Sequence, residues 1–185
     1  MKLSILIPTL PERGHHLQKI RSILDPQLLN HSGEVELLVN DKGRKGYPHT
    51  GEKRNELIRQ AQGEYTVFVD DDDWLPDYYV QEILKASETN PDCITFRGWM
   101  TTDGKSRVNF VLRMGERYEE RNGVYYRFPN HITPIKRSIT SKIKFPNISQ
   151  GEDYLWAKEI NNLGLIKSEV FIDKEMYHYD YQTRK

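Results

Sequence analysis

Two hydrophobic periodicities alternate along the N-terminal half of the chain. Short apolar runs, too brief for a helix and closed by Pro or polar residues, predict buried strands over residues 3–7, 34–39, 65–69 and 93–96. Between them, apolar positions recur at helical spacing over residues 16–29, 52–61 and 77–87. This alternation predicts βαβ units with right-handed crossovers. The expected fold is therefore α/β, with a mostly parallel central sheet flanked by helices.

Prolines and glycines indicate where these helices end. We expect Pro26 to disturb the end of the first helix, because proline inside a helix removes a backbone hydrogen bond. Gly63 has the position of a residue that closes the second helix. Pro76 is expected to open the third, where its missing N–H would have no helical partner in any case.

The pattern becomes less regular from Arg97 onward. One more helix is predicted over residues 152–162, stopped by Gly164, and one more strand over residues 170–172. The sequence contains no internal repeat and no low-complexity segment. We therefore expect residues 1–185 to form a single domain.

Composition narrows the class of protein. The 185 residues carry 27 Lys and Arg against 27 Asp and Glu, so the chain as a whole is neither a basic nucleic-acid binder nor an acidic disordered tail. Its only cysteine, Cys93, excludes an internal disulfide framework and favours a reducing, cytoplasmic location. No apolar run is long enough to predict a secretion signal or a transmembrane segment.

Four consecutive aspartates, Asp70 to Asp73, follow the third predicted strand. An acidic run is often no more than a solvated turn. Here, however, a buried strand delivers like charges to its own end, and a bound divalent cation would relieve their repulsion. Such oxygen ligands suit Mg²⁺ or Mn²⁺, particularly when substrate phosphates complete the coordination. Loops at the carboxyl ends of parallel strands also form the usual ligand site of an open α/β sheet.

Ordered segments over roughly the first 85 residues resemble family-2-type glycosyltransferases of the GT-A fold. They are LSILIPT, ELLVND and the long segment from GEKRNELIRQ to VDDDDWLPDYY, which holds both an Arg-Asn pair and the aspartate run. The resemblance implies one GT-A-like nucleotide-sugar-binding domain. Residues 1–96 would form its donor half, and residues 97–185 its acceptor and catalytic-base half.

The resemblance also implies roles for individual residues of the donor half. Nucleotide-sugar binding is implied for Pro8, Thr9, Asn40, Asp41, Arg54, Asp70 and Asp71. Asp72 and the late His178 would hold Mn²⁺ or Mg²⁺, although a run of four aspartates leaves the register of the D-x-D element open by one residue. Outside the family pattern, Arg54 would read as an exposed helical charge and His178 as structural. Asn40-Asp41-Lys42-Gly43 replaces the paired acids and Gly-Ser of many relatives, so UDP is the default nucleotide and not a conclusion.

In the later half, GEDYLW resembles the Glu-Asp motif that supplies the catalytic base of inverting members. Inversion requires a carboxylate that takes the proton of the attacking acceptor hydroxyl. We assign this role to Asp153, with Glu152 orienting the base or contacting the acceptor. The alternative is that both are first-turn acids favoured by the helix dipole.

Residues 97–150 hold eleven Lys and Arg against four acids, a net charge of +7. A basic acceptor half predicts an anionic acceptor: a phosphate-bearing glycan, a lipid-linked sugar or nucleic acid with a hydroxylated base. We assign His131, Arg121 and Arg127 to acceptor binding, with aromatic residues interleaved nearby. The alternative is that these arginines pair with the acidic first half of the chain.

Two other functional classes stay open at this point. A metal-dependent nucleotidyltransferase or phosphate-ester hydrolase would also use clustered aspartates on an α/β sheet, and a non-catalytic module could bind a nucleotide sugar or a glycan. The first class leaves the Pro8-Thr9, Arg54-Asn55 and Glu152-Asp153 matches without an explanation.

Overall fold

The computed structural model describes residues 1–181 and 183. This part of the chain forms a nine-stranded sheet with five α-helices. The strands are β1 Leu3–Pro8, β2 Val35–Asn40, β3 Tyr65–Phe68, β4 Cys93–Thr102, β5 Lys105–Leu112, β6 Glu119–Arg121, β7 Val124–Arg127, β8 Ile135–Lys136 and β9 Glu169–Tyr181. The helices are α1 Gly14–Asn30, α2 Thr50–Gln60, α3 Tyr79–Ser87, α4 Arg137–Thr140 and α5 Glu152–Asn162.

The sheet topology confirms the α/β prediction. The strand order is β2-β1-β3-β8-β4-β5-β7-β6, and β9 pairs with β4. Strand β1 is parallel to both β2 and β3, and β8 is antiparallel to both β3 and β4, so the four strands expected from the sequence all run in one direction. The two most extensive pairings, β1 with β2 and β4 with β9, are parallel.

Burial explains why the sequence predicted strand β1 correctly. All six of its residues are buried, and helices cover both faces of the sheet at this point. Ile5 and Ile7 belong to one hydrophobic cluster, whereas Leu6 belongs to a second cluster on the opposite face. A strand covered on both faces is expected to appear as a continuous apolar run.

Three expectations about helix boundaries were wrong. Pro76 does not open α3, because the helix begins at Tyr79 with Tyr78 as its N-cap. Pro26 lies inside α1, which continues to Asn30. The side chain of Gln27 anchors this last part, because it donates to the carbonyl of Pro76 at 3.0 Å and accepts from the backbone N–H of Val80 at 2.9 Å. Tertiary hydrogen bonds therefore offset the bond that the proline removes.

Gly63 does not close α2, which ends at Gln60 with Ala61 as its C-cap. A Cβ atom at Gly63 would lie 2.5 Å from the backbone nitrogen of Ser4. Its N–H also donates to the Ser4 hydroxyl at 2.8 Å. Close approach to β1 is therefore what requires glycine at this position.

Candidate active site

The loops that follow β1 and β3 meet the N-terminal part of α2 around a cavity of about 400 Å³. This cavity brings together seven residues predicted to belong to the site. They are Pro8, Thr9, Arg54, Asp70, Asp71, Asp72 and Glu152. Because parallel strands end at the same edge of a sheet, residues that are far apart in sequence converge here.

Asn40 and Asp41 do not line this cavity. Asn40 is buried, its backbone carbonyl accepts from Thr9 N–H at 2.9 Å, and its side-chain oxygen accepts from Lys42 N–H at 3.2 Å. Asn40 therefore supports the loop that carries Thr9. Asp41 is exposed beside it.

The four aspartates have four different environments. Asp70 pairs with Arg54 at 2.9 Å, whereas Asp71 is buried and contacts the Thr9 hydroxyl and the Arg13 guanidinium. Asp72 is 43% exposed and lies 2.8 Å from Arg13. Asp73 points inward and accepts a hydrogen bond from the Tyr177 hydroxyl at 2.5 Å. Of these four carboxylates, that of Asp72 is the most exposed to solvent.

Arg54 connects the cavity of about 400 Å³ to the later half of the chain. Its side chain is only 4% exposed and lies between Asp70, at 2.9 Å, and Glu152, whose Oε1 is 3.2 Å from Nε. The guanidinium also lies over the Phe68 ring at 4.9 Å. Its Nη1 has no hydrogen-bond partner within the described residues. The alternative that Arg54 is an exposed helical charge is therefore excluded.

These contacts change the acidity of Asp70. Burial alone would raise the pKa of this carboxyl, but the positive charge of Arg54 and the hydrogen bond from His131 outweigh burial. The pKa of Asp70 consequently lies well below its ordinary value. Asp70 is therefore ionised over the whole physiological range.

Three basic residues of the cavity, Arg13, Arg44 and Lys53, were missed by the sequence reasoning. Arg13 follows β1 and holds Asp71 and Asp72 together, and Lys53 is buried with its ammonium donating to the carbonyl of Thr9. Burial lowers the pKa of Lys53. The positions of two of them in the sequence could have indicated a role in the site, because Arg13 follows the loop after the first predicted strand and Lys53 directly precedes Arg54.

His131 lies between the two halves of the site. Its Nε2 is 3.4 Å from Asp70 Oδ2, and its Nδ1 is 3.3 Å from Asp153 Oδ2. Asp153 is 34% exposed, while the preceding Glu152 is buried against Arg54. The two acids at the start of α5 therefore face different surroundings, and only Asp153 is open to an incoming molecule.

His178 lies in a second cavity, of about 620 Å³, that Arg13 and Asp72 also line. Its ring stacks on Trp99 at 3.5 Å, and its Nε2 is 3.2 Å from the Thr101 hydroxyl. Burial lowers the pKa of His178, which favours the neutral imidazole. Within residues 1–181 and 183, no group of three or more His, Cys, Asp or Glu side chains is arranged to hold a metal ion.

The basic residues of the later half include four arginines that are held in ion pairs. Several pair with acids of β9 or of their own segment: Arg97 with Asp173, Arg107 with Glu175, Arg113 with Glu169, and Arg121 with Glu116 and Glu119. Arg127 is inserted among aromatic rings and donates to the Tyr179 hydroxyl at 2.8 Å. The sequence analysis left open that these arginines pair with acids of the first half of the chain. Four of the arginines do form ion pairs, but their partners lie in β9 or in residues 116–119.

An α/β sheet whose carboxyl-end loops carry aspartates and a buried arginine around one cleft has the architecture of a GT-A-like nucleotide-sugar-binding domain. The chain matches the family described as Glycosyl transferase family 2 over residues 19–148. It belongs to this glycosyltransferase family.

Solved structures share the fold at low sequence identity. TarS of S. aureus is 13% identical with a TM-score of 0.66, and the match covers 97% of this chain and 37% of TarS. TarS 1-349 in complex with UDP is 15% identical with a TM-score of 0.67, and here the coverage is 97% and 60%. The complex of TarS 1-349 with UDP-GlcNAc is 14% identical at 0.66, covering 100% and 59%. The chain thus spans less than two thirds of the length of each of these three structures.

No curated protein sequence matches the chain significantly. Within the described residues, every helix is too short or too polar to cross a membrane.

Proposed function

We propose that the protein is a metal-dependent, inverting glycosyltransferase that moves a sugar from a UDP-sugar to an acceptor hydroxyl. The observation that carries this proposal is the single cavity in which Thr9, Arg54 and the aspartate loop converge, in a chain of glycosyltransferase family 2. The fold shared with TarS, whose structures contain UDP and UDP-GlcNAc, supports a UDP-linked donor. The single, buried Cys93 supports the additional proposal of a reducing, cytoplasmic location.

The donor cavity has the charges that a nucleoside diphosphate needs. Arg13, Arg44 and Lys53 bring cationic groups to its wall, and such groups bind phosphate oxygens through charge-assisted hydrogen bonds. Arg54 would approach the nucleotide base, since its Nη1 still has a donor to give. Asp70 and Asp71 would contact the ribose and sugar from positions that their ion pairs already hold.

The residues near Asp72 fit a divalent cation. Asp72 is the exposed carboxylate of the loop, and the His178 imidazole lines the same cavity. Two protein ligands suffice for Mg²⁺ or Mn²⁺ when diphosphate oxygens and water complete the coordination. A cation held there would neutralise the charge that develops on the departing diphosphate.

Asp153 supplies the base in this proposal. The acceptor oxygen attacks the anomeric carbon from the face opposite the diphosphate, and the Asp153 carboxylate takes the hydroxyl proton. Its partial exposure allows an acceptor to reach it, and the contact with His131 limits its rotation. Glu152 acts differently: it holds the Arg54 guanidinium and thereby the donor cavity.

The test is product analysis with several nucleotide substrates. We expect slow, Mn²⁺-stimulated release of UDP from UDP-GlcNAc or UDP-glucose, since transferases pass some sugar to water. Release of pyrophosphate from a nucleoside triphosphate would instead indicate a nucleotidyltransferase. Binding of UDP-sugar without any turnover, with or without added glycosides, would indicate a non-catalytic module and contradict the proposal.

A further inference from the structure

Two exposed tyrosines form a corner on the surface of the later half. The rings of Tyr118 and Tyr154 meet edge to face, with centroids 5.2 Å apart and an interplanar angle of 79°. Each residue is 38% exposed, while Phe128 is buried behind them with its centroid 4.6 Å from that of Tyr118. We call Tyr118 and Tyr154 the tyrosine platform. The tilted contacts with Phe128 help to hold both rings in place although they are open to solvent.

The tyrosine platform lies beside the candidate base. Tyr154 follows Asp153 directly in the first turn of α5. The Tyr118 hydroxyl accepts a hydrogen bond from Asn130 Nδ2 at 3.1 Å, and the next residue, His131, is 3.3 Å from Asp153. The tyrosine platform and the partly exposed Asp153 carboxylate therefore lie on the same part of the surface.

The surroundings of the tyrosine platform favour a neutral ligand. Arg127 lies over the Tyr118 ring at 5.5 Å and donates to the Tyr179 hydroxyl, and the ammonium of Lys158 lies over the Tyr154 ring at 5.8 Å. Arg121 is paired with Glu116 and Glu119. Nucleic-acid binding rests mainly on cations that can contact phosphates, and paired arginines serve that purpose poorly. A sugar ring needs no such cations, because its C–H face packs on an aromatic ring while its hydroxyls stay hydrated.

We propose that the tyrosine platform is the acceptor subsite and that it takes the ring of a neutral carbohydrate. The proposal rests on the transferase function proposed above and specifies its acceptor class. A hydroxyl oxygen of the bound ring forms the new bond to the anomeric carbon of the donor. The bond from that carbon to the diphosphate oxygen breaks, its electron pair leaves with UDP, and the hydroxyl proton goes to Asp153.

The experiment measures ligand binding without relying on turnover. Saturation-transfer NMR on the full chain would use methyl glycosides of glucose, galactose and N-acetylglucosamine, with UDP binding followed in parallel. We expect transfer to the ring C–H protons, and about three- to tenfold weaker binding for Tyr118→Ala and Tyr154→Ala, the range of an aromatic contact. Tyr154→Phe should bind like the unmodified chain, and so should Tyr181→Ala, which removes another exposed tyrosine.

The possible results separate this inference from the proposed function. If UDP binds but no glycoside shows transfer, or if the alanine variants bind glycosides normally while remaining folded, the tyrosine platform is not the acceptor subsite. A deoxythymidine oligonucleotide that binds more tightly than the glycosides, and loses binding in the same variants, would assign the surface to nucleic acid and overturn the proposal. Failure of UDP and UDP-sugars to bind would refute the donor assignment itself.

Discussion

The two halves of the chain use charge in opposite ways. In residues 1–96, charged side chains are drawn into a cavity, where Arg54 and Asp71 are buried and Arg54 keeps one nitrogen without a partner in the described structure. In residues 97–181, several charged side chains pair at the surface, as Arg107 does with Glu175. Burying charge is costly unless a partner or ligand compensates it, whereas exposed pairs contribute little free energy. The comparison indicates that the first half is built to bind and that the net charge of the second half says little about its ligand.

The strongest test of the donor half is the removal of its exposed carboxylate. We expect Asp72→Ala to lower Mn²⁺-dependent turnover by about 10⁴-fold or more, since a bound metal contributes several kcal/mol of transition-state stabilisation. Thermal unfolding should change little, because Asp72 is exposed and its ion pair with Arg13 is partly open to solvent. Asp77→Ala, an exposed aspartate at the approach to α3, is the matched control for turnover. Near-normal Mn²⁺-dependent activity of Asp72→Ala would refute the metal assignment.

The later half is tested at its candidate base. Asp153→Asn should reduce transfer by about 10²–10⁴-fold, which is the usual contribution of a positioned general base. UDP affinity measured by calorimetry should be retained, because Asp153 lies outside the donor cavity. Glu159→Gln removes an exposed acid from the same helix and should leave transfer unaffected. Equal losses of UDP affinity and turnover would make Asp153 a donor-site residue.

The difference between buried and exposed charge can be measured on one helix. Arg54→Ala leaves Asp70 and Glu152 without their shared partner, and we expect the free energy of unfolding to fall by about 3–5 kcal/mol. Arg59→Ala on α2 removes an arginine whose side chain is 72% exposed and pairs with Glu56. Denaturant unfolding should not distinguish this variant from the unmodified chain. Similar losses in both variants would contradict the comparison between the two kinds of charge.

The smallest expected effect concerns Asp92, a residue of the first half that contacts Lys136 and Lys167 of the later half. Burial alone would raise the pKa of Asp92, but hydrogen bonds from Lys167 N–H, at 2.8 Å, and from Lys136 outweigh it and lower the pKa. A lowered pKa stabilises the fold above the unfolded value of about 3.9, and the contribution disappears as pH falls through the folded pKa. Asp92→Asn should therefore cost about 1 kcal/mol near pH 7.

The pH dependence decides whether this contribution is electrostatic. The stability difference between Asp92→Asn and the unmodified chain should shrink as pH falls below the unfolded value of about 3.9 and through the lowered folded pKa, because the Asp92 carboxyl then becomes neutral. Asp25→Asn, which removes the acid of an exposed pair with Arg21 on α1, serves as the control. A difference for Asp92→Asn that persists unchanged in acid would point to lost packing instead of lost charge.

The donor half was predictable because its elements are local and its strands are buried. β1 to β4 and α1 to α3 each carry a clear apolar pattern. The family motifs placed Thr9 and the aspartates on loops that parallel topology brings together, and Arg54 on the neighbouring helix α2. In contrast, β5 to β8 were not recognised. Strand β6 has three exposed residues and β8 has only two, so neither contains enough apolar positions to show a period.

The amino-acid sequence by itself determined the α/β alternation, the position of the acidic loop and the pair of acids at the start of α5, because each depends on neighbours within a few residues. Only the tertiary structure decided that Arg13 binds Asp71, that Glu152 holds Arg54 while Asp153 faces outward, and that His131 stands between Asp70 and Asp153. These contacts join residues tens of positions apart, and their geometry follows from strand order and burial. Hydrophobic periodicity contains no information about which distant side chain satisfies a buried charge.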